Sequence, residues 1–136
     1  MQGIPDFNFP LFHAVAWALR KAGHRVFSPA ENDIERQAGT TDNSKTGSLD
    51  EAKAKGFSLR QALADDTNFI CLEANTIVIL PEWEKSNGVQ AEQRLGVALK
   101  TEGMTIEYLS RTDADIILVA HQAYLAQLEV TADAAE

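Results

Sequence analysis

A single cysteine, few aromatic side chains and a shortage of basic charge constrain this 136-residue chain before any pattern is read. One thiol cannot form an intrachain disulfide, and Cys71, between Ile70 and Leu72, reads as a buried thiol in a reducing compartment. His13, His24 and His121 are scattered and share no metal-ligand spacing with Cys71, so neither a metal nor another cofactor is expected. No apolar run approaches the roughly 20 residues of a membrane span. The start of the chain lacks the basic and apolar regions of a signal peptide, and a cytoplasmic location is expected. Twelve basic residues against twenty acidic ones leave a net charge of −8, which argues against a broad nucleic-acid surface. One small anionic ligand stays compatible with that charge, because a helix terminus acts locally. Internal repeats and low-complexity segments are absent too.

What is present suits one globular domain over residues 1–136, with 45 % hydrophobic and 24 % charged residues. Asn8 before Phe9-Pro10 predicts a capped helix with apolar Leu11, Val15, Ala18 and Leu19, ended by Gly23. His24 to Ser28 reads as a brief strand closed by Pro29. Residues 34–56 are polar and aperiodic, which predicts a long mobile loop with a short helix around Leu49 to Lys55. Ser58 opens a helix carrying Leu59, Leu63, Ile70 and Ala74. After Gly103, Met104 to Leu109 predicts a strand. Thr112 with Asp115 resembles a capping box for an added final helix over about 112–130, with Ile117, His121, Tyr124 and Leu128 on one face. Thr131 to Glu136 is expected to fray. Trp17 is assigned to packing.

The most informative stretch runs from Thr76 to Glu92. Ile77 to Leu80 is a short apolar run of the kind buried on both faces of a parallel sheet, and Pro81 stops it. Ser86, Asn87 and Gly88 then supply capping side chains and a permissive backbone before a helix with Ala91, Leu95, Ala98 and Leu99 at helical spacing. The start of such a helix faces the crevice beyond the strand and offers N–H groups to an anion. Glu92 stands one turn in. Spacing alone leaves two readings open for it, a carboxylate that complements the helix dipole or a catalytic group. Ser86 is open between a plain cap and a ligand contact, and Trp83 between a packing lid and a platform for a base.

These segments carry a family resemblance. Gly3-Ile4-Pro5-Asp6-Phe7-Asn8-Phe9-Pro10, the run Ala22-Gly23-His24-Arg25-Val26-Phe27-Ser28-Pro29-Ala30-Glu31, and Leu80 to Gly88 with Ala91-Glu92 and Ala98-Leu99 resemble small phage and bacterial proteins of the DUF4406 group. That group is similar to nucleoside 2-deoxyribosyltransferases and nucleotide N-glycosidases. The resemblance implies an α/β fold of three layers, a parallel flavodoxin-like sheet between helices, here lacking the usual first strand. It implies that Glu92 is the nucleophile at the sugar's anomeric carbon, that Asp66 engages the departing base, and that a serine at position 86 accompanies 5′-monophosphate substrates. Asn87, Gly88 and Trp83 would complete the substrate site. Asp65 is the rival of Asp66 on spacing.

The implied activity is hydrolysis or transfer at the N-glycosidic bond of a deoxynucleoside or its 5′-monophosphate, through a covalent glycosyl-enzyme intermediate, in a homodimer or larger homo-oligomer. Two departures favour the alternative, a non-catalytic nucleotide-binding or interaction protein of the same fold. The strand that usually opens this family, with a Tyr-(Leu/Ile)-Ala-Gly-Pro-like end, has no counterpart, and Glu82 replaces a glycine in the family's Pro-Gly-Trp-Glu signature. An upstream start, a strand from another chain or a rearranged sheet would each account for the first departure.

Overall fold

The computed structural model describes residues 8–37 and 58–135. Helix α1 spans Phe9–Lys21, α2 Pro29–Gln37, α3 Leu59–Leu72, α4 Asn87–Ala98 and α5 Arg111–Ala135, with strands β1 at Thr76–Ile79 and β2 at Thr105–Tyr108. Short 3-10 turns at Trp83–Lys85 and Leu99–Glu102 precede and follow α4. The two strands pair in parallel, Thr76 opposite Thr105 and Ile79 opposite Tyr108, so β1, α4 and β2 form one βαβ unit.

Local chemistry explains most boundaries. The Ser58 hydroxyl accepts from Gln61 N–H at 3.2 Å, and the Ser86 hydroxyl accepts from Val89 N–H at 3.3 Å, each capping the helix that follows. Gly23 and Gly103 take φ of +97° and +88°, the left-handed turn that lets a chain leave a helix. At the start of α5 the cap is Ser110, whose hydroxyl accepts from Asp113 N–H at 3.1 Å, instead of the expected Thr112. Asp115 pairs with Arg111 at 3.5 Å. Asn8 stands at the head of α1 in the left-handed region, φ +63°, and its side chain does not cap.

Four expectations need correction. His24 to Ser28 is not a strand: the segment has no ladder partner among the described residues and is held by side chains. Arg20 donates to the Val26 carbonyl at 3.0 Å, Arg25 reaches Glu73 at 3.1 Å, and Phe27 stacks on Phe69 at 4.6 Å. Residues 34–37 belong to helix α2; the rest of the expected loop and its short helix lie outside the described residues. Cys71 is exposed, because the 100° step of a helix turns it away when Ile70 faces inward. The last helix also continues past Thr131 to Ala135.

The main core joins Leu11 and Val15 of α1 to Leu80 and Ala114, with Trp83, Val89 and Ile117 packed around them. Burying each of the larger side chains is worth roughly 1.5–3 kcal/mol. Trp17 packs as expected, its ring 5.3 Å from Tyr124 and 5.2 Å from His121, so α1 lies against α5. A bidentate ion pair, Arg20 to both oxygens of Glu31 at 2.6 Å, clamps α1 to α2. No helix among the described residues is long and apolar enough to cross a membrane.

Gly96 fixes how closely α4 approaches the sheet. A Cβ there would lie 2.8 Å from Ile77 Cδ1 and 3.1 Å from Ile106 Cδ1. Overpacking of this kind costs about 1–3 kcal/mol, while alanine recovers about 1 kcal/mol of helix propensity. Gly96→Ala should therefore lower stability by about 1 kcal/mol in urea unfolding, and Gly96→Val by clearly more, because its extra methyls cannot be absorbed by rotating one isoleucine.

Candidate active site

A cleft of about 720 Å³ lies between the extended segment 24–28 and strand β1. Helix α1 contributes Phe12, Val15 and Leu19 to one wall, and α3 contributes Asp66, Phe69 and Ile70. Val89 and Glu92, from the first turns of α4, stand at the end where β1 runs out. That is the carboxyl end of the strand, where open α/β sheets place ligands.

The buried polar side chains of the described residues are Ser28, Asp33, Asp66 and Ser86. Asp66 is 7 % exposed and hydrogen-bonds the carboxyl of Glu92. Two carboxyl groups share a hydrogen bond only when one of them carries a proton. Burial holds the Glu92 carboxyl above the ordinary carboxylate range, the hydrogen bond with Asp66 opposes that shift, and the charge of Asp33 adds to it. The structure thus brings Asp66 and Glu92, the two acids that the resemblance singled out, to one cleft.

Asp65 is accounted for differently. Its two oxygens accept from Asn32 at 3.1 Å and Gln61 at 2.9 Å, which ties α3 to α2. Of the two neighbouring aspartates, which spacing left open, Asp66 lines the cleft and Asp65 does not.

The other expected site residues lie beside the cleft and outside its lining. Ser86 is buried but spends its hydroxyl on Val89 N–H. Asn87 is exposed at the first position of α4. A Cβ on Gly88 would meet Leu63 at 3.6 Å, ordinary contact, so the glycine is not sterically required. Trp83 packs into the main core with its ring 5.9 Å from Tyr108. Glu82 takes φ +66°, the backbone region that favours glycine, and its carboxylate is bound to Lys85 at 2.7 Å and Arg111 at 3.1 Å. Its acidity is strengthened first by the Lys85 hydrogen bond, and its charge is spent on cations that the cleft does not contain.

Two residues escaped sequence reasoning. Ser28 heads α2, where its carbonyl accepts from Asn32 N–H at 3.1 Å, yet its hydroxyl is buried against the cleft with no hydrogen-bond partner among the described residues. Asp33 lies on the same helical face as buried Ala30 and half-buried Ile34. The i, i+3, i+4 spacing of Ala30, Asp33 and Ile34 is the signal that exposes this acid once α2 is recognised. Among the described residues no group of three His, Cys, Asp or Glu side chains could hold a metal ion.

A carboxyl whose proton is held more tightly in the folded state makes stability fall as pH rises from the ordinary value of 4.5 through the folded-state value. Glu92→Gln keeps the shape and removes that penalty. Its melting temperature should exceed that of the parent by roughly 2–6 °C at pH 8 and match it at pH 4, as read by circular dichroism.

The family model described as a domain of unknown function, DUF4406, matches residues 1–108. No curated protein and no solved structure matches the chain.

Proposed function

We propose that this chain, which belongs to the DUF4406 family, breaks or transfers the N-glycosidic bond of a deoxynucleoside or its 5′-monophosphate within a three-layer, flavodoxin-like α/β frame. The observation that carries the reading is the Asp66–Glu92 carboxyl pair lining one end of a nucleotide-sized cleft. A retaining glycosyl transfer needs one carboxylate as nucleophile and one acid for the leaving group. A pair that holds a single proton supplies both.

In this scheme the sugar enters between the two acids and replaces their mutual hydrogen bond. The proton stays with Asp66, and Glu92 is left ionised. A Glu92 oxygen attacks C1′, the C1′–N bond breaks with its electron pair going to the base, and Asp66 delivers its proton to the departing nitrogen. Water, or a second base, then attacks C1′, the bond to Glu92 breaks, and Asp66 takes up the proton released by the acceptor. The Ser86-capped start of α4 offers backbone N–H groups to a 5′-phosphate.

The test is incubation with each deoxynucleoside 5′-monophosphate, followed by chromatography for free base. Release that falls by about a hundredfold or more in Glu92→Ala, with nucleotide binding retained, is the expected result. Binding without release by the parent protein would replace the enzyme with the nucleotide-binding alternative.

The expected homodimer finds support on α5, where Ile116, Val119, Leu125 and Leu128 are exposed. Light scattering should give twice the mass of one chain. Ile116→Glu together with Leu128→Glu should return the monomer without loss of helix signal.

A further inference from the structure

Helix α5 lies beyond the residues that the family model matches, and its two halves are held in different ways. The first half is anchored in the main core, where Ala114, Ile117 and Leu118 pack with Leu11 and Val15 of α1. The second half has no such anchor. Of residues 119–132 only His121 is half-buried and the rest are exposed. What ties this stretch to the body is the indole of Trp17, 5.2 Å from the His121 ring and 5.3 Å from the Tyr124 ring. Helix α1 ends at Lys21, one turn after Trp17, whereas α5 continues to Ala135.

That contact is surrounded by groups that carry or can take positive charge. Lys21 Nζ lies 5.1 Å from the centre of the Trp17 ring. His13, one turn before Trp17 on α1, sets its ring 6.0 Å from Phe9 and acts on His121 across the helix contact. On α5 itself the titratable neighbour is Tyr124, one turn later. Among the described residues no carboxylate pairs with His121, and Glu31, the acid that His13 acts on, is already bound by Arg20. Burial first, and then the charge of His13, hold the His121 imidazole below its ordinary value of 6.5. A lone imidazolium is drawn to an indole face, but this ring already carries the Lys21 ammonium. A proton bound less tightly in the docked helix than in a free one favours release. The contact therefore keeps its full strength above pH 6.5 and loses it as pH falls through the docked-state value.

We infer that residues 121–135 of α5 are fastened to the body by a proton-sensitive latch, in which Trp17 of α1 clasps neutral His121 together with Tyr124, and that protonation of His121 releases this half while the core-anchored half stays in place. Leu125, Leu128 and Val130 ride on the released half. The latch thus sets whether that apolar stripe is held in one position or swings free. It rests neither on the glycosidic reading nor on the expected homodimer.

Hydrogen exchange of the full chain, followed amide by amide by NMR at about pH 8 and about pH 5.5 and corrected for the intrinsic pH dependence of exchange, reads the latch directly. Protection at the Gln127 and Leu128 amides should fall about threefold or more at the lower pH, while that at Ile117 and Leu118 stays unchanged. His121→Gln removes the titrating ring and should keep the parent's higher protection at both pH values. His13→Gln leaves the Trp17 contact in place and should move the titration of the His121 ring protons upward. Protection at Leu128 that ignores pH in the parent, or falls equally in His121→Gln, overturns the latch. So does an equal fall at Leu118, which would mean general loosening, or an unmoved His121 titration in His13→Gln. A fall that depends on protein concentration overturns it too, since the event read would then be the departure of a second copy.

Discussion

A strand inside a parallel sheet has two edges to satisfy, and β1 satisfies one. The rest of the molecule is arranged around that imbalance. Helix α4 returns the chain to build β2 on the first edge, closely enough that Gly96 leaves no room for a Cβ. On the second edge the chain places no strand among the described residues, and the neighbouring segment 24–28 is suspended from Arg20, Arg25 and Phe27 across a cavity. An unpaired amide or carbonyl shut away from water costs about 1–3 kcal/mol, so the open edge tolerates a cavity that water can enter but not a dry, collapsed one.

The acids follow the same geometry. Asp66 projects from α3 and Glu92 from α4, the two helices that cover one face of the space beside β1. Asp33, on α2, adds its field from behind. Three carboxyl groups in one region of a chain with net charge −8 work against folding unless protons or hydrogen bonds offset them. The shared hydrogen bond between Asp66 and Glu92 is one such offset, and burial makes it matter more than at a surface. By contrast, the carboxylates of Glu31 and Glu82 are held by Arg20, Lys85 and Arg111, where the fold supplies cations directly.

What could be read in advance divides along a physical line. Elements with local instructions were legible: the Ser58 and Ser86 caps, the apolar run ended by Pro81, and the glycine turns at Gly23 and Gly103 carry their signal in adjacent residues. Glu92 was legible for the same reason, since its distance from the cap fixes its turn of the helix. Elements that depend on a distant partner were not. Segment 24–28 has strand composition, but a strand exists only against a neighbour. Helix α2 has Ala30 and Ile34 as its apolar markers, too few to show a period, so Asp33 stayed hidden with it. Cys71 was misjudged because apolar neighbours in sequence are not neighbours on a helix, where Leu72 is 75 % exposed.

The open edge and the carboxyl pair make different chemical demands on one cleft. Along β1, Thr76 and Val78 present peptide groups that pair with no strand among the described residues. Past Leu80 the strand ends, and the lining changes to Val89 and Glu92 from α4 with Asp66 opposite. Ligands of parallel sheets bind beyond the carboxyl ends of the strands because the following helices begin there and bring their N–H groups and first-turn side chains with them. Burial at that end raises the cost of a second negative charge beside the first, the direction in which the Glu92 carboxyl is held. The proposed glycosidic step asks for one protonated and one ionised acid, since one must give a proton while the other attacks.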